Sequence, residues 1–274
     1  MVAPTLTPMI GGGLSPRIEV VFAPMPGIDR LSITRRVGDR VMKVRGGQLR
    51  SAAGGVALLD REAPFGVPST YRAELFDASG ASLGFTDSAS LTLNFDGVVV
   101  SSPLEPSLWM QWKPLAVFGE ELASKQVGSR FLPSGAARPT WVGGRRASVE
   151  GVNLSGATTT LADAALFDSM LGTEEQPRIP VLLFRASPQY RIPPVLFAHV
   201  EVTQVNVGAR SGRPYTRFDI EGAEVEPPAP GLVEPTLTWS DVAAYYETWS
   251  EVAADNESWL SLSRRYDLIG LAGQ

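Results

Sequence analysis

One strongly marked helix stands among many short β-rich runs, and this imbalance favours a mainly β chain with minor α structure. Thr160 and Asp163 have capping-box spacing, in which a hydroxyl accepts from the N3 amide and a carboxylate reaches back to the cap. Gly172 is free to adopt the left-handed conformation that ends a helix. We therefore predict a helix over 160–171. Its apolar face, which another element must cover, would be formed by Ala164, Leu166, Phe167, Met170 and Leu171.

Strand-like segments before and after this helix can form a sheet that covers its apolar face. Residues 147–154 precede it, and residues 180–184, 195–207 and 216–225 follow it as short apolar, β-branched or alternating segments. One helix packed on an antiparallel sheet or barrel is the economical interpretation. We assign this unit to residues 108–226.

The first half of the chain is predicted to be an immunoglobulin-like or fibronectin-like β-sandwich over residues 17–107, because short strand patterns recur between turn residues. Asp77–Gly80 has the composition of a hairpin turn. The residues before this unit, 1–16, are rich in Pro, Thr and Gly and are predicted to form a flexible arm. The strand patterns cover residues 18–22, 30–34, 41–44, 71–76 and 90–95.

Two further stretches carry weaker signals. Trp109 and Trp112 do not share a face of a strand, so one is expected in a core and the other in contact with a neighbouring domain. Residues 119–144 are mixed and polar with scattered Gly and Pro, which predicts a long loop.

The C-terminal segment, 238–274, carries a repeat with a period of ten residues, connected by a Pro-rich linker over 227–237. Each copy opens with a hydroxyl residue followed by Trp, at Trp239, Trp249 and Trp259. Asp241 and Glu251 lie at capping-box distance from the hydroxyl residues, which predicts short capped helical turns rather than one long helix.

Exposed indoles are unfavourable in water, so the three tryptophans need a covering surface. Three alternatives stay open: the core of this chain, another subunit, or a carbohydrate with flat apolar faces. For a subunit contact the candidate interface residues are Trp239, Trp249, Trp259, Val242 and Val252.

Composition excludes several classes of function. A net charge of −5 argues against a protein built to hold phosphate backbones. The absence of cysteine removes disulfides, thiolate nucleophiles and Cys-based zinc sites. The first residues do not resemble a signal peptide, and no apolar run approaches bilayer-spanning length, so no membrane insertion is expected.

No catalytic, metal or cofactor site is predicted. His199 is the only histidine and shares a strand face with Glu201, which is too few ligands for zinc. The acidic pairs at 120–121 and 174–175 lie in loop-like regions, where solvated carboxylates are expected rather than a glycosidase pair. The glycine runs at 11–13 and 143–144 lack the setting of a phosphate loop. The arginine pairs at 35–36 and 145–146 are interpreted as surface or interface features rather than nucleic-acid contacts.

Residues 68–80 are similar to the late strands of a fibronectin type III module. That resemblance implies that Tyr71 packs and hydrogen-bonds near a strand corner.

The order of a sandwich, a helix-on-sheet unit, a proline linker and terminal Trp repeats resembles minor tail proteins of long-tailed actinobacteriophages, of the distal-tail or baseplate-hub type. The run 161–194, ending in Pro188–Pro194, and the Trp repeats are its most specific features. The resemblance implies a non-enzymatic structural protein of the virion, assembled in the host cytoplasm as a homo-oligomeric ring, with a hexamer favoured. Its partners would be the tail tube and other tail-tip proteins, and DNA would pass through the ring without specific binding. The Trp segment would latch onto a neighbouring chain.

The alternative function is a module that binds cell-wall glycan, with the aromatic residues as stacking platforms. A peptidoglycan-cleaving enzyme is a weaker third interpretation, because the sequence supplies no catalytic set.

Overall fold

The computed structural model describes residues 2–11, 14–120, 122–135, 137–172, 177–207, 214–229 and 237–273. The fold is mainly β with a few short helices, as the sequence predicts. The chain divides into two compact units. Unit 1 comprises Met1–Phe95, Leu104–Pro106 and Pro228–Gln274, and unit 2 comprises Asp96–Pro103 and Ser107–Pro227. The sandwich and the C-terminal repeats therefore belong to one unit, which differs from the separate segments expected from the sequence.

Unit 1 contains two antiparallel sheets. The first has the order β1-β2-β6, and the second has the order β4-β3-β7-β8, with β5 paired to β3 and β9 paired to β7. The turn at Asp77 joins β7 to β8, as predicted. The strands are β1 (Thr5–Gly11), β2 (Leu14–Phe22), β3 (Arg30–Val37), β4 (Arg40–Lys43), β5 (Arg50–Ser51), β6 (Val56–Asp60), β7 (Pro68–Phe76), β8 (Ser82–Phe85) and β9 (Ala89–Thr92).

The predicted flexible arm over 1–16 is wrong. Residues Thr5–Gly11 form β1, which pairs with β2 from Thr5 opposite Val21 to Met9 opposite Arg17. Thr and the apolar Leu and Met in this stretch are compatible with a strand. The Pro and Gly residues around them obscure that signal in the sequence. Gly12 and Gly13, which belong to the predicted arm, lie outside the described residues.

The two sheets of unit 1 meet through a buried ionic network. Asp60 on β6 accepts hydrogen bonds from the Arg35 guanidinium on β3 and, at 2.8 Å, from the Tyr71 hydroxyl on β7. All three side chains are buried. Tyr71 thus packs and hydrogen-bonds as the fibronectin-like resemblance implies, with a carboxylate as its partner. The interpretation of Arg35 as a surface or interface residue is wrong, because β3 directs its side chain into the buried interior of unit 1.

Opposing effects act on the ionisation of this network. Burial, the largest single effect, would lower the pKa of Arg35, but the charges of Asp60, Tyr71 and Glu62 and the hydrogen bond to Asp60 together outweigh it and raise the pKa above its ordinary value. Burial, and then the negative charge of Asp60, raise the pKa of Tyr71. The arginine therefore stays charged and the phenol stays protonated throughout the physiological range.

Unit 2 is built on a closed six-stranded barrel. Its strands are hydrogen-bonded in the order β10-β11-β15-β18-β17-β16, and β16 pairs back to β10. Every pairing is antiparallel, and the short strand β14 lies beside β15 along β18. The strands are β10 (Val98–Ser101), β11 (Trp109–Pro114), β12 (Ala123–Phe131), β13 (Thr140–Glu150), β14 (Val152–Asn153), β15 (Gly156–Thr158), β16 (Val181–Ala186), β17 (Val195–Val207) and β18 (Tyr215–Glu224).

The predicted helix, α1 (Leu161–Leu171), covers part of the barrel core. Thr160 caps it by accepting from the Asp163 amide at 3.0 Å, and Gly172 ends it at a φ of 87°. Phe167 of α1 stacks on Trp112 of β11, with ring centroids 4.8 Å apart. Trp112 is therefore the core tryptophan of the pair, and Trp109 is partly exposed.

The predicted long loop over 119–144 is wrong, because β12 and β13 form a two-stranded hairpin there. Its register shifts twice, between Ser124 and Gln126 and between Gln126 and Gly128. The sequence signal is weak because the described side chains between 128 and 143 form no buried face: all of them except Pro133 are exposed. Without a buried face, the alternation that marks a strand does not arise.

Among the described residues, no helix combines the length and the apolar character that crossing a membrane requires.

Candidate binding surface at the tryptophan repeats

Each of the three repeats builds a separate short helix. These are α2 (Trp239–Tyr245), α3 (Trp249–Asp255) and α4 (Trp259–Ser263). The hydroxyls of Thr238, Thr248 and Ser258 accept from the third amide of their helices, and the side chain at that third position accepts from the cap amide. All three capping boxes are complete, so each repeat ends one helix and starts the next, as predicted.

The restart fixes where each indole lies. A tryptophan follows the cap directly in every repeat, and so occupies the first position of each helix. Tyr246 and Asn256, which end the first two helices, have extended backbone angles that turn the chain toward the next cap. Equivalent side chains of successive helices are thereby brought together.

The three indoles form an exposed cluster. Trp239 lies at its centre, with ring centroids 5.5 Å from Trp249 and 5.6 Å from Trp259, both in edge-to-face geometry. The residues are 62%, 64% and 60% exposed for Trp239, Trp249 and Trp259. Of the three alternatives drawn from the sequence, burial in the core of this chain is therefore wrong for the indoles.

The valines of the repeats have a different place. Val242 and Val252 are buried with Tyr246, Leu262 and Leu268 in a small core of the segment itself. Their prediction as interface residues is therefore wrong for this chain, because each helix turns its valine inward and its tryptophan outward. The tryptophans alone among the five predicted interface residues are accessible.

A buried carboxylate ties the first repeat to the last residues described. One oxygen of Asp241 accepts from the Thr238 amide at 3.0 Å and from the Thr238 hydroxyl at 2.7 Å. The other accepts from the amides of Gly270 and Ala272, each at 3.1 Å. The hydrogen bond from the Thr238 side chain, and then that from Ala272, hold the pKa of Asp241 below its usual value.

A second polar network joins α2 to the segment after α4. The Tyr246 hydroxyl donates to Asp255 at 2.7 Å, and Arg265 donates to the same carboxylate at 2.9 Å. Arg265 also forms an ion pair with Asp267 at 2.8 Å. The hydrogen bond from Tyr246, and then that from Arg265, lower the pKa of Asp255. These bonds fix the relative positions of the helices, and hence of the indoles.

The repeat segment is anchored on the outer face of β2. Arg264 donates to both oxygens of Glu19, at 2.8 and 2.9 Å, and the Tyr266 hydroxyl donates to Glu19 at 3.2 Å. Glu19 is 3% exposed although it lies on the face of β2 opposite the sandwich core. The segment thus covers a sheet of its own chain, and the expectation that it latches onto a neighbouring chain is not needed to bury its apolar residues.

A cavity of about 420 Å³ adjoins the tryptophan cluster. Its wall is formed by β6, by Gly46, Arg50 and Arg61 and by the repeat segment, and we call it the tryptophan pocket. It is lined by Gly46, Arg50, Ala57, Leu58, Leu59, Arg61, Leu237, Thr238, Trp239, Val242, Trp259, Leu262, Ser263, Tyr266 and Ile269.

A second cavity, of about 660 Å³, lies in unit 2 and is acidic, with Glu120, Glu201, Asp219 and Glu221 in its wall. Among the described residues, no group of three or more His, Asp or Glu side chains is placed to hold a metal ion. His199 is exposed on β17, on the same face as Glu201. The acidic residues 121, 174 and 175, and the side chains of Arg145 and Arg146, lie outside the described part of the chain.

Sequence reasoning found the tryptophans but missed the residues that complete the surface. Arg50 and Arg61 are far from the repeats in sequence, and nothing in their neighbourhood marks them as part of a pocket. Glu19 alternates with Ile18 and Val20 on a strand, a pattern that predicts exposure to water.

Comparison of the chain with protein-family models, with curated proteins and with solved structures found no match.

Proposed function

We propose that this protein is a non-enzymatic structural component of the tail tip of a long-tailed phage, in which copies of the chain form a symmetric ring, with a hexamer favoured, at the end of the tail tube. Support comes from the order of its parts: a β-sandwich, a closed barrel with one helix, and a Trp-bearing C-terminal segment. In the virion the ring contacts the tube and other tail-tip proteins. DNA passes through it without specific binding.

The observation that carries this proposal is the uncovered hairpin of β12 and β13. Its apolar residues Phe131, Leu132, Trp141 and Val142 are 60%, 58%, 49% and 58% exposed. An isolated two-stranded hairpin is marginally stable in water. A neighbouring copy that covers this ribbon would remove the apolar residues from water and stabilise the hairpin in one step.

The test is the native mass of the full-length protein by mass photometry, with particle images of the same sample. We expect closed rings for the wild type and dissociation for the double variant F131S/L132S. The matched control is V41S/L83S, because Val41 and Leu83 are also exposed apolar residues, 58% and 46%, but lie on unit 1. A strict monomer at high concentration, or equal loss of rings in both variants, would contradict the proposal.

The second candidate function is recognition of cell-wall glycan, and the tryptophan cluster favours it. Taking about 250 Å² for a fully accessible tryptophan side chain, the three indoles present roughly 450 Å² of mostly apolar surface. Contiguous apolar patches of about 300–600 Å² on a monomer are often functional. Saturable binding to isolated cell walls that is lost in W239A, with the fold unchanged, would support this candidate.

A further inference from the structure

The tryptophan pocket has the size and the lining of a site for a small ligand. Its volume of about 420 Å³ falls in the range of roughly 300–1,000 Å³ that is typical of such sites. Trp239 and Trp259 line it and are more than half exposed, so a ligand in the pocket also meets their rings. Trp249, the third indole of the cluster, does not line it.

The two lining indoles form a corner. Their planes are inclined by 83° at a centroid distance of 5.6 Å, so the pair presents two walls rather than a single flat plate. A saccharide ring has a face of C–H groups that packs on an aromatic ring and a rim of hydroxyls that needs hydrogen bonds. Ser263 and Tyr266 in the pocket wall carry hydroxyl oxygens that can accept from such a rim.

The charged side chains that line the pocket are all basic. Arg50 and Arg61 line it, and none of the described Asp or Glu residues does. Within the described part of the chain, the guanidinium of Arg50 has no hydrogen-bond or ion-pair partner, and the residue is exposed. Because a guanidinium matches a carboxylate in charge and in planar geometry, this wall is complementary to an anionic group.

The exposed area argues for a small ligand over a second copy of the chain. A stable protein interface buries about 800 Å² on each partner, and the three indoles present roughly 450 Å². The pocket adds concave surface that a flat protein partner would leave empty. We therefore take a glycan as the occupant.

We propose that the tryptophan pocket binds a carboxylated sugar of a glycan chain, with Trp239 and Trp259 stacking on the sugar rings and Arg50 binding the carboxylate. This inference rests on glycan recognition, the second candidate above, and names its ligand class. It is independent of ring formation, because the hairpin of β12 and β13 does not line the pocket.

The test is isothermal titration of the full-length protein with trigalacturonic acid and, separately, with its methyl ester, which differs in the carboxylate charges. We expect the acid to bind about tenfold more tightly, the scale of one charge-assisted hydrogen bond. R50Q should abolish this preference without changing the affinity for the ester. W259A should weaken the binding of both probes about three- to tenfold.

W141A is the matched control, since it removes an exposed indole, 49%, on the hairpin of β12 and β13, which does not line the pocket. It should leave both affinities unchanged, and thermal melting checks that each variant is folded. Equal affinity for acid and ester would overturn the carboxylate assignment while leaving glycan recognition standing. If neither probe binds, both the carboxylate assignment and glycan recognition are overturned. If decanoate binds more tightly than trigalacturonic acid, the pocket is a lipid site instead.

Discussion

Glu19 and Arg264 form a bidentate ion pair although they are 245 positions apart in the sequence. The glutamate side chain is 4% exposed and the arginine side chain is 49% exposed. The pair joins the second strand of the sandwich to the residues just after the last tryptophan helix. It therefore ties the position of the tryptophan cluster to that of β2.

Removing the arginine of this pair should destabilise unit 1. R264A leaves a buried carboxylate with the Tyr266 hydroxyl as its remaining side-chain donor, and we expect a loss of about 1–2 kcal/mol because Arg264 is half exposed and its charge is partly screened. Urea unfolding followed by tryptophan fluorescence measures it. R36A is the control: Arg36 pairs with Asp39 on the exposed surface, where the two side chains are 62% and 107% exposed, so a change of less than about 0.5 kcal/mol is expected. Equal losses of unfolding free energy in R264A and R36A would show that the Arg264–Glu19 contact stabilises unit 1 no more than an exposed ion pair does.

The carboxylate of Asp241 should make the repeat segment sensitive to acid. Its pKa lies below the ordinary value of 3.8 in the folded chain, chiefly because Thr238 donates to it. The stabilisation is thus complete above about pH 5 and is lost as the pH falls through the folded pKa. We expect the difference in melting temperature between wild type and D241N to be constant above that pH and to shrink below 3.8.

The control for this titration is D39N, at a fully exposed position. Its melting temperature should follow that of the wild type at every pH. A wild type that keeps its full advantage over D241N under strong acid would contradict the assignment.

Breaking the buried network of unit 1 should have graded effects. In D60N the charge of Arg35 stays buried without a counter-ion, so we expect a loss of about 3–5 kcal/mol in the free energy of unfolding. In Y71F the carboxylate loses one donor and keeps the arginine, which should cost about 1–3 kcal/mol. Chemical denaturation of both variants gives the order, and a Y71F effect larger than that of D60N would refute it.

A glycine in the barrel is required by close packing. A Cβ on Gly156 would lie within 2.5 Å of three atoms of the Trp112 indole, whose Nε1 donates to Leu154 at 3.1 Å. We expect G156A to destabilise unit 2 by about 1–3 kcal/mol, through displacement of this ring. G54A is the control, because its Cβ would make an ordinary contact at 3.6 Å. Near-ultraviolet circular dichroism, which reports the tryptophan environment, and thermal melting distinguish the two.

The sequence predicts the parts of this fold whose signals are local. The helix at Thr160 has its own cap and stop, the long strand at Val195–Val207 has its β-branched residues, and the repeats have their capping boxes. These signals depend on residues a few positions apart, and all three elements are present where they were predicted.

What the sequence does not reveal depends on contacts between distant segments. The burial of Glu19 requires Arg264, and the burial of Arg35 requires Asp60, so each charged residue looks like a surface residue when its own strand is considered alone. The candidate site shows the same limit. The indoles are conspicuous in the repeats, but the arginines of the pocket reach it through the fold.

The division of the chain has a consequence for its synthesis. Unit 1 contains the first 95 residues and the last segment of the sequence, with all of unit 2 between them. On the ribosome, the sheet of β1, β2 and β6 therefore emerges well before the helices that cover its outer face. Until Arg264 is synthesised, Glu19 and its neighbours face water or a chaperone. The barrel can therefore fold before the helices cover this sheet.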